Sequence, residues 1–259
     1  MMDWFLKDGG IYTYDGTERF LPPRHVKYLR HTGVPNINEL VTYATILHTL
    51  DLGRADPNPI GTGLTNVDAL AACTSLHTLS LDGTTVTNVD ALTACTNLHT
   101  LNLGRTRVIN VDTLAACPSL HTLNLHSTRV TNVDALAACT SLHTLVLDYT
   151  KVTNVDALAA CTSLHTLVLD YTKVTNVDAL AACTSLHTLS LDYTQVRNLN
   201  ALVACTSLHT LSLCGTKVKT LVAGTSLHTV YLDFAKVKFQ GPRFLSACTI
   251  HSDLDELNF

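Results

Sequence analysis

The apolar positions of this chain recur with a spacing that fits neither a helix nor a strand throughout. In residues 142–163, LHTLVLDYTKVTNVDALAACTS, they fall at Leu142, Leu145, Leu147, Val152, Val155, Leu158 and Cys161. Leu145 and Leu147 stand two apart, which places both on one side of a short strand and turns Thr144, Val146 and Asp148 to the other. Farther along, Asp156 precedes Ala157, Leu158, Ala159 and Ala160. A capping residue type followed by good helix formers predicts a short helical turn with Asp156 as its cap. Each unit therefore reads as strand, bend, helical turn and bend.

The unit recurs along the chain. Leu-His-Thr begins at Leu47, Leu76, Leu98, Leu120, Leu142, Leu164, Leu186, Leu208 and Leu227, and six consecutive steps between these starts are 22 residues. The first step is 29 and the last 19, so the array is regular in its middle and altered at both ends. Residues 164–185 copy residues 142–163 letter for letter. Packing could enforce identity among inward leucines, but not at solvent-facing His143, Asp148, Tyr149 and Lys151; duplication accounts for those. A fixed period in this range is the signature of a solenoid. One unit cannot bury enough apolar surface to offset the backbone entropy of ordering it, so units must stack, and the two ends of the stack need lids.

Aromatic residues mark where those lids lie. Of fifteen, seven precede Leu47, five follow Leu227, and only Tyr149, Tyr171 and Tyr193 stand between. Leu29, Thr32, Val34, Ile37 and Leu40 follow the second half of the repeat, which predicts a degenerate first repeat over residues 24–46. The expected organisation is an N-terminal cap at 1–23, a solenoid at 24–238 and a C-terminal cap at 239–259. Seven extra residues in the first full repeat, near 54–61, carry Pro and Gly and read as a loop leaving the sheet edge, a place where contacts often sit and where insertions are tolerated.

The consensus LxxLxLxxTxVxxVxxLxxC resembles the leucine-rich repeat, with Thr150 where that family more often has Asn. The 22-residue length is similar to the short repeats of bacterial internalins and of the regulatory subunit of protein phosphatase 1; the terminal Cys resembles cysteine-bearing protozoan arrays. The resemblance implies an α/β leucine-rich repeat solenoid curved into an arc, with a parallel β-sheet on the concave face and short helical turns on the convex face. It also implies a non-enzymatic scaffold that binds a protein partner on the concave face. Two further functions stay open: a secreted or surface adhesion factor, and a structural spacer in an assembly.

Charge narrows the partners. A formal net charge of −4 argues against nucleic acid, which needs a dominant basic face. No apolar run approaches the ~20 residues of a membrane span, and MMDWFLKDGGIYTYDG lacks a basic stretch followed by an apolar core, so neither a membrane segment nor a leader is expected. Seven cysteines hold the 22-residue register, from Cys73 to Cys205, on the inward phase of the pattern. They are expected to be small core residues, and free thiols in bulk point to a reducing, cytoplasmic location. Cys214 breaks that register, standing where other repeats place Asp on the open face, and is the thiol expected to react first.

Candidate chemistry comes in rows. Nine histidines, His48 through His228, occupy the second repeat position. Rungs about 4.8 Å apart point the same way, whereas a metal site needs ligands converging from different directions, so no metal is expected. Repulsion between charged neighbours should lower their pKa values. Asp82, Asp148, Asp170, Asp192 and Asp233 occupy position seven, and Tyr149, Tyr171, Tyr193 and Phe234 stand beside them. Tyrosine supplies large contact area at small entropic cost. Val146, Asp148, Tyr149, Val168, Asp170, Tyr171, Asp192 and Tyr193 therefore form the candidate partner-binding patch, suited to a peptide or protein with basic and apolar groups. A basic row of Arg107, Arg129, Lys151, Lys173, Lys217 and Lys236 flanks the acidic one and is expected to form solvated ion pairs with it. Parallel rows supply no singular catalytic constellation, so neither catalysis nor a cofactor is expected, and the chain reads as a monomer.

Overall fold

A computed structural model describes residues 12–14, 28–31, 45–53, 63–222, 226–240 and 249–251. Fourteen short strands follow in chain order: β1 (Tyr12–Tyr14), β2 (Tyr28–His31), β3 (Thr49–Asp51), β4 (Thr78–Ser80), β5 (Thr100–Asn102), β6 (Thr122–Asn124), β7 (Thr144–Val146), β8 (Thr166–Val168), β9 (Thr188–Ser190), β10 (Thr210–Ser212), β11 (Thr220–Val222), β12 (Thr229–Tyr231), β13 (Lys238–Gln240) and β14 (Thr249–His251). Twelve of them form one parallel sheet in the order β1 to β10, then β12, then β14, while β11 and β13 pair separately. Register is uniform: Thr144, Leu145 and Val146 of β7 oppose Thr166, Leu167 and Val168 of β8. A one-residue slip would turn the leucines outward.

Every inward position of residues 142–163 is buried, from Leu142 through Cys161, and the same set continues through the neighbouring coils as one core. The sheet hydrogen bonds continue beyond each three-residue strand. His143 and Thr144 N–H both donate to His121 O of the preceding coil, whereas Leu147 and Tyr149 N–H donate to Val168 O and Asp170 O of the following one. Position nine is a buried threonine, Thr84 through Thr216. Thr150 Oγ1 donates to Leu147 O at 2.6 Å and its backbone N–H reaches the same carbonyl at 3.1 Å, which closes the turn after the strand.

The helical turns are 3-10, five residues each, as at Asp156–Ala160. Asp156 is not their cap, contrary to the sequence expectation. It is the first helical residue, and its N–H donates to Asn154 Oδ1 at 2.7 Å. Asn132 and Asn176 do the same for Asp134 and Asp178. The aspartate still lies in the first turn, where a negative charge is favoured.

The register cysteines are buried, and those from Cys95 to Cys205 also donate. Cys161 Sγ lies 3.3 Å from Leu136 O, and Cys183 Sγ 3.3 Å from Leu158 O, in the helical turn one coil back. Leu158 O also accepts the Cys161 N–H. A thiol thus fills the core volume and supplies a weak donor to that carbonyl. Burial pushes the Cys139 and Cys183 thiols up to about 12, so these are structural groups without thiolate reactivity.

The expected caps fall mostly outside the described residues. Within 1–23 only β1 is described, and it extends the main sheet; within 239–259 the ends of β13 and the whole of β14 are described. The 54–61 insertion lies outside the described residues.

Candidate functional site

On the sheet face, each row of the repeat becomes a column running across the coils. The residue at position eight, just past the strand, takes the left-handed backbone conformation: Arg105 (φ 57°), Ser127 (54°), Tyr149 (57°), Tyr171 (56°), Tyr193 (55°) and Phe234 (61°), with Gly83 and Gly215 at the same position in two other coils. The turn demands this geometry because the Thr150-type contact folds the chain back onto position six. Such a conformation costs a non-glycine residue about 1–2 kcal/mol.

Tyr149, Tyr171 and Tyr193 use it to form a stack. Their ring centroids are 4.4 Å and 4.6 Å apart, and interplanar angles are 10° and 15°. The three are 51%, 44% and 41% exposed, so the ladder presents its ring edges to solvent. His126, in the coil before, meets Tyr149 edge-on at 5.8 Å. Val146 and Val168 lie half-buried beside them, in β7 and β8.

The carboxylates of column seven hold the coils to one another. Asp170 Oδ1 accepts the Ser190 hydroxyl at 2.6 Å and the Asp192 N–H at 2.9 Å; Asp192 Oδ1 accepts Ser212 Oγ at 2.6 Å and Cys214 N–H at 2.7 Å. Burial pushes the Asp170 carboxyl above the usual carboxylate range, outweighing those two hydrogen bonds. Asp148 differs because the next coil offers Val168 instead of a serine. Its Oδ2 lies 2.6 Å from His126 Nδ1, and its Oδ1 is buried with no hydrogen-bond partner. Earlier coils satisfy the position-seven N–H from position five: Asn102 Oδ1 accepts from Gly104 and Asn124 Oδ1 from His126.

Opposite charges do not pair row against row as expected. The ion pairs among the described residues are Arg105 with Asp82 and His126 with Asp148. Arg107, Arg129, Lys151 and Lys173 are exposed and take part in neither, and Lys217 Nζ donates to Gln195 Oε1 at 2.6 Å. The basic column begins two residues past the turn, which carries it away from column seven.

At the other edge of the sheet, the nine histidines stack ring on ring; His99 and His121, for example, lie 4.6 Å apart at 9°. Parallel rings at this spacing aim their nitrogens side by side. No three His, Cys, Asp or Glu side chains among the described residues are grouped to hold a metal ion. No helix among those residues is long and apolar enough to cross a membrane.

The family model for leucine-rich repeats (two copies) matches residues 96–138 and again 118–160. Residues 96–160 carry leucine-rich repeats. Solved structures with this fold include an internalin, InlF, from Listeria monocytogenes: 21% identical, TM-score 0.78, covering 94% of this chain and 74% of that one. Internalin C2 of the same organism is 24% identical at TM-score 0.65, covering 80% and 93%. A leucine-rich repeat protein of Leptospira interrogans is 23% identical at TM-score 0.71, covering 87% and 61%. At these identities the likeness establishes the fold. No curated protein matches the sequence.

In this leucine-rich repeat solenoid all eight sequence-predicted residues share one continuous strip of the sheet face, but in two roles. The tyrosines are exposed, whereas Asp170 and Asp192 each commit one carboxylate oxygen to the next coil. Sequence reasoning overlooked His126, the partner of Asp148, and Ser190 and Ser212, the partners of Asp170 and Asp192. The serines at position five were a readable signal, since they appear in the coil after each aspartate they bind.

Proposed function

We propose that the chain is a non-enzymatic protein-binding scaffold whose partner docks on the concave sheet face, across Val146, Asp148, Tyr149, Val168, Asp170, Tyr171, Asp192 and Tyr193. The observation that carries this reading is the left-handed backbone at Tyr149, Tyr171 and Tyr193. Gly83 and Gly215 occupy the same position at no steric cost, so three bulky rings are kept where the backbone favours glycine. Strain held in this way marks functional surfaces. Residues 186–207 support it further: they differ from 164–185 at six positions, 190, 195, 197, 199, 200 and 203, yet retain Asp192 and Tyr193. The eight free thiols among the described residues support a reducing, cytoplasmic setting for this activity.

Affinity capture from native extract tests the proposal, with wild type and a Tyr149→Ala, Tyr171→Ala, Tyr193→Ala triple variant as baits. The expected result is a partner retained by the first and lost by the second. A triple variant that folds and still captures every wild-type partner would overturn the assignment.

A further inference from the structure

One coil breaks the rows of the sheet face. Positions seven and eight are aspartate and tyrosine in three consecutive coils, at Asp148, Asp170 and Asp192, but in the coil before them they are His126 and Ser127. No other coil carries an imidazole and a hydroxyl there, so duplication did not spread this pair. Successive side chains of an extended strand point to opposite faces. The left-handed backbone at Ser127 (φ 54°) ends that alternation and turns its side chain back beside the preceding one. Ser127 Oγ lies 3.1 Å from His126 Nε2, and on the other side of the ring His126 Nδ1 lies 2.6 Å from Asp148 Oδ2.

The neighbours fix the protons. A carboxylate only accepts, so the proton between Asp148 and His126 sits on Nδ1, and Nε2 of the neutral ring accepts the Ser127 hydroxyl. Hydroxyl, imidazole and carboxylate in this order are what activates a serine as a nucleophile. Tyr149 meets the imidazole edge-on at 5.8 Å, and the Asp148 carboxylate reaches the ring through Oδ2 while Oδ1 stays buried without a hydrogen-bond partner. His126 and Ser127 are half-buried on the sheet face, so solvent reaches both. The nearby backbone amides are already committed: Ser127 N–H donates to Asp148 O, Thr128 N–H to Leu125 O and Tyr149 N–H to Asp170 O. None of these three is left to hold an oxyanion, and each missing donor slows acyl transfer by about 10²–10³. The constellation therefore suits an acyl carbon whose leaving group departs readily without that help, and it leaves the resulting ester on the protein.

We infer that Ser127 is a nucleophilic acyl-acceptor site on the sheet face, with His126 as its general base, Asp148 as the positioning residue, and activated esters such as aryl esters as the substrate class. Ser127 Oγ bonds to the acyl carbon while His126 Nε2 takes the hydroxyl proton. The bond from that carbon to the leaving oxygen then breaks, and the oxygen keeps the bonding pair and departs as a phenol with the proton from Nε2. Each chain takes up one acyl group, so the site adds a covalent modification to the scaffold and not a turnover activity. It stands apart from whatever the tyrosine ladder binds.

The test incubates the full chain with para-nitrophenyl acetate and maps acetylated residues over time, with the exposed Ser141 and Ser163 as internal references. Hydroxylamine, which cleaves an ester on serine and spares an amide on lysine, identifies the adduct. Ser127 is expected to acetylate about a hundredfold or more faster than the references, the acceleration that general-base catalysis supplies. His126→Gln should abolish that advantage. Asp148→Asn should cut it by about tenfold or more, because the ring loses the partner that holds its tautomer. In both variants Ser141 and Ser163 should react as in wild type, and Asp148→Asn should also lose the downfield Nδ1 proton resonance of His126. Acetylation of wild-type Ser127 no faster than that of Ser141 and Ser163 overturns the site, as does an undiminished rate in His126→Gln. The wild-type comparison decides the matter if a variant does not fold. Either result leaves partner capture by the tyrosine ladder to its own test.

Discussion

Acidification should unfold this solenoid from the histidine edge. Nine imidazoles form eight adjacent pairs with centroids 4.2–4.8 Å apart. Two unit charges at that distance repel by about 0.9 kcal/mol in water and by about 3.6 kcal/mol at an effective dielectric of 20. The rings are half-buried or exposed, so the water value governs, reduced further by salt. Charging every rung would cost about 7 kcal/mol over the eight pairs, the size of a whole domain's stability. Charging alternate rungs separates the charges by about 9 Å and costs about 0.45 kcal/mol each. Burial, and then the neighbouring imidazoles, lower the pKa values of His77, His121, His165 and His187 below the ordinary 6.5. The unfolded chain therefore binds more protons than the folded one as pH falls. The stabilising contribution is complete above the unfolded pKa of ~6.5 and is lost as pH drops through it toward the folded values. Five alternate charged rungs leave four such pairs, a loss of about 2 kcal/mol, which corresponds to a fall in Tm of roughly 4–8 °C for a chain of this size. Circular-dichroism melts at pH 7.5, 6.5, 5.8 and 5.0 should show it, with a shallower slope in high salt and in a His121→Gln, His165→Gln variant that breaks the stack twice. A Tm constant from pH 7.5 to 5.0, or an undiminished slope in the double variant, refutes the coupling.

Two further outcomes follow from the packing. Leu167→Ala, in a fully buried strand position at mid-array, should lower stability by about 2–5 kcal/mol, read by chemical denaturation; a loss under about 1 kcal/mol would contradict a coil-to-coil core. Brief alkylation of the native chain followed by peptide mapping should label Cys214 first among the eight described cysteines, because it alone of them is not buried; labelling of Cys161 or Cys183 before it would contradict the register.

The repeat made much of this legible in advance. A 22-residue period with apolar residues at Leu142, Leu145, Leu147, Val152, Val155, Leu158 and Cys161 admits one stacked solution, because each residue must meet its own copy on the next coil. The identity of neighbours is then automatic: leucine on leucine, histidine on histidine, tyrosine on tyrosine. Local bonding was less legible. Asp156 and Asn154 are both capping types two residues apart, and only the backbone path decides that Asn154 Oδ1 accepts the N–H. The aspartates of column seven looked like a partner-facing row, yet Asp170 and Asp192 bind serines and amides twenty and twenty-two residues away.

By itself, then, the sequence determined the coil: its length, its inward set, its parallel sheet and the rows that sheet carries, since a strict period leaves packing no other choice. Tertiary structure decided the conformation at position eight, which turns tyrosine into an exposed ladder and lays the Tyr193 ring over Gly215. It also decided which carboxylates are spent on neighbouring coils. The physical reason is that burial depends on periodicity, which a sequence displays directly, whereas the direction of a side chain past a turn depends on backbone angles and hydrogen bonds that arise only once two coils are in contact.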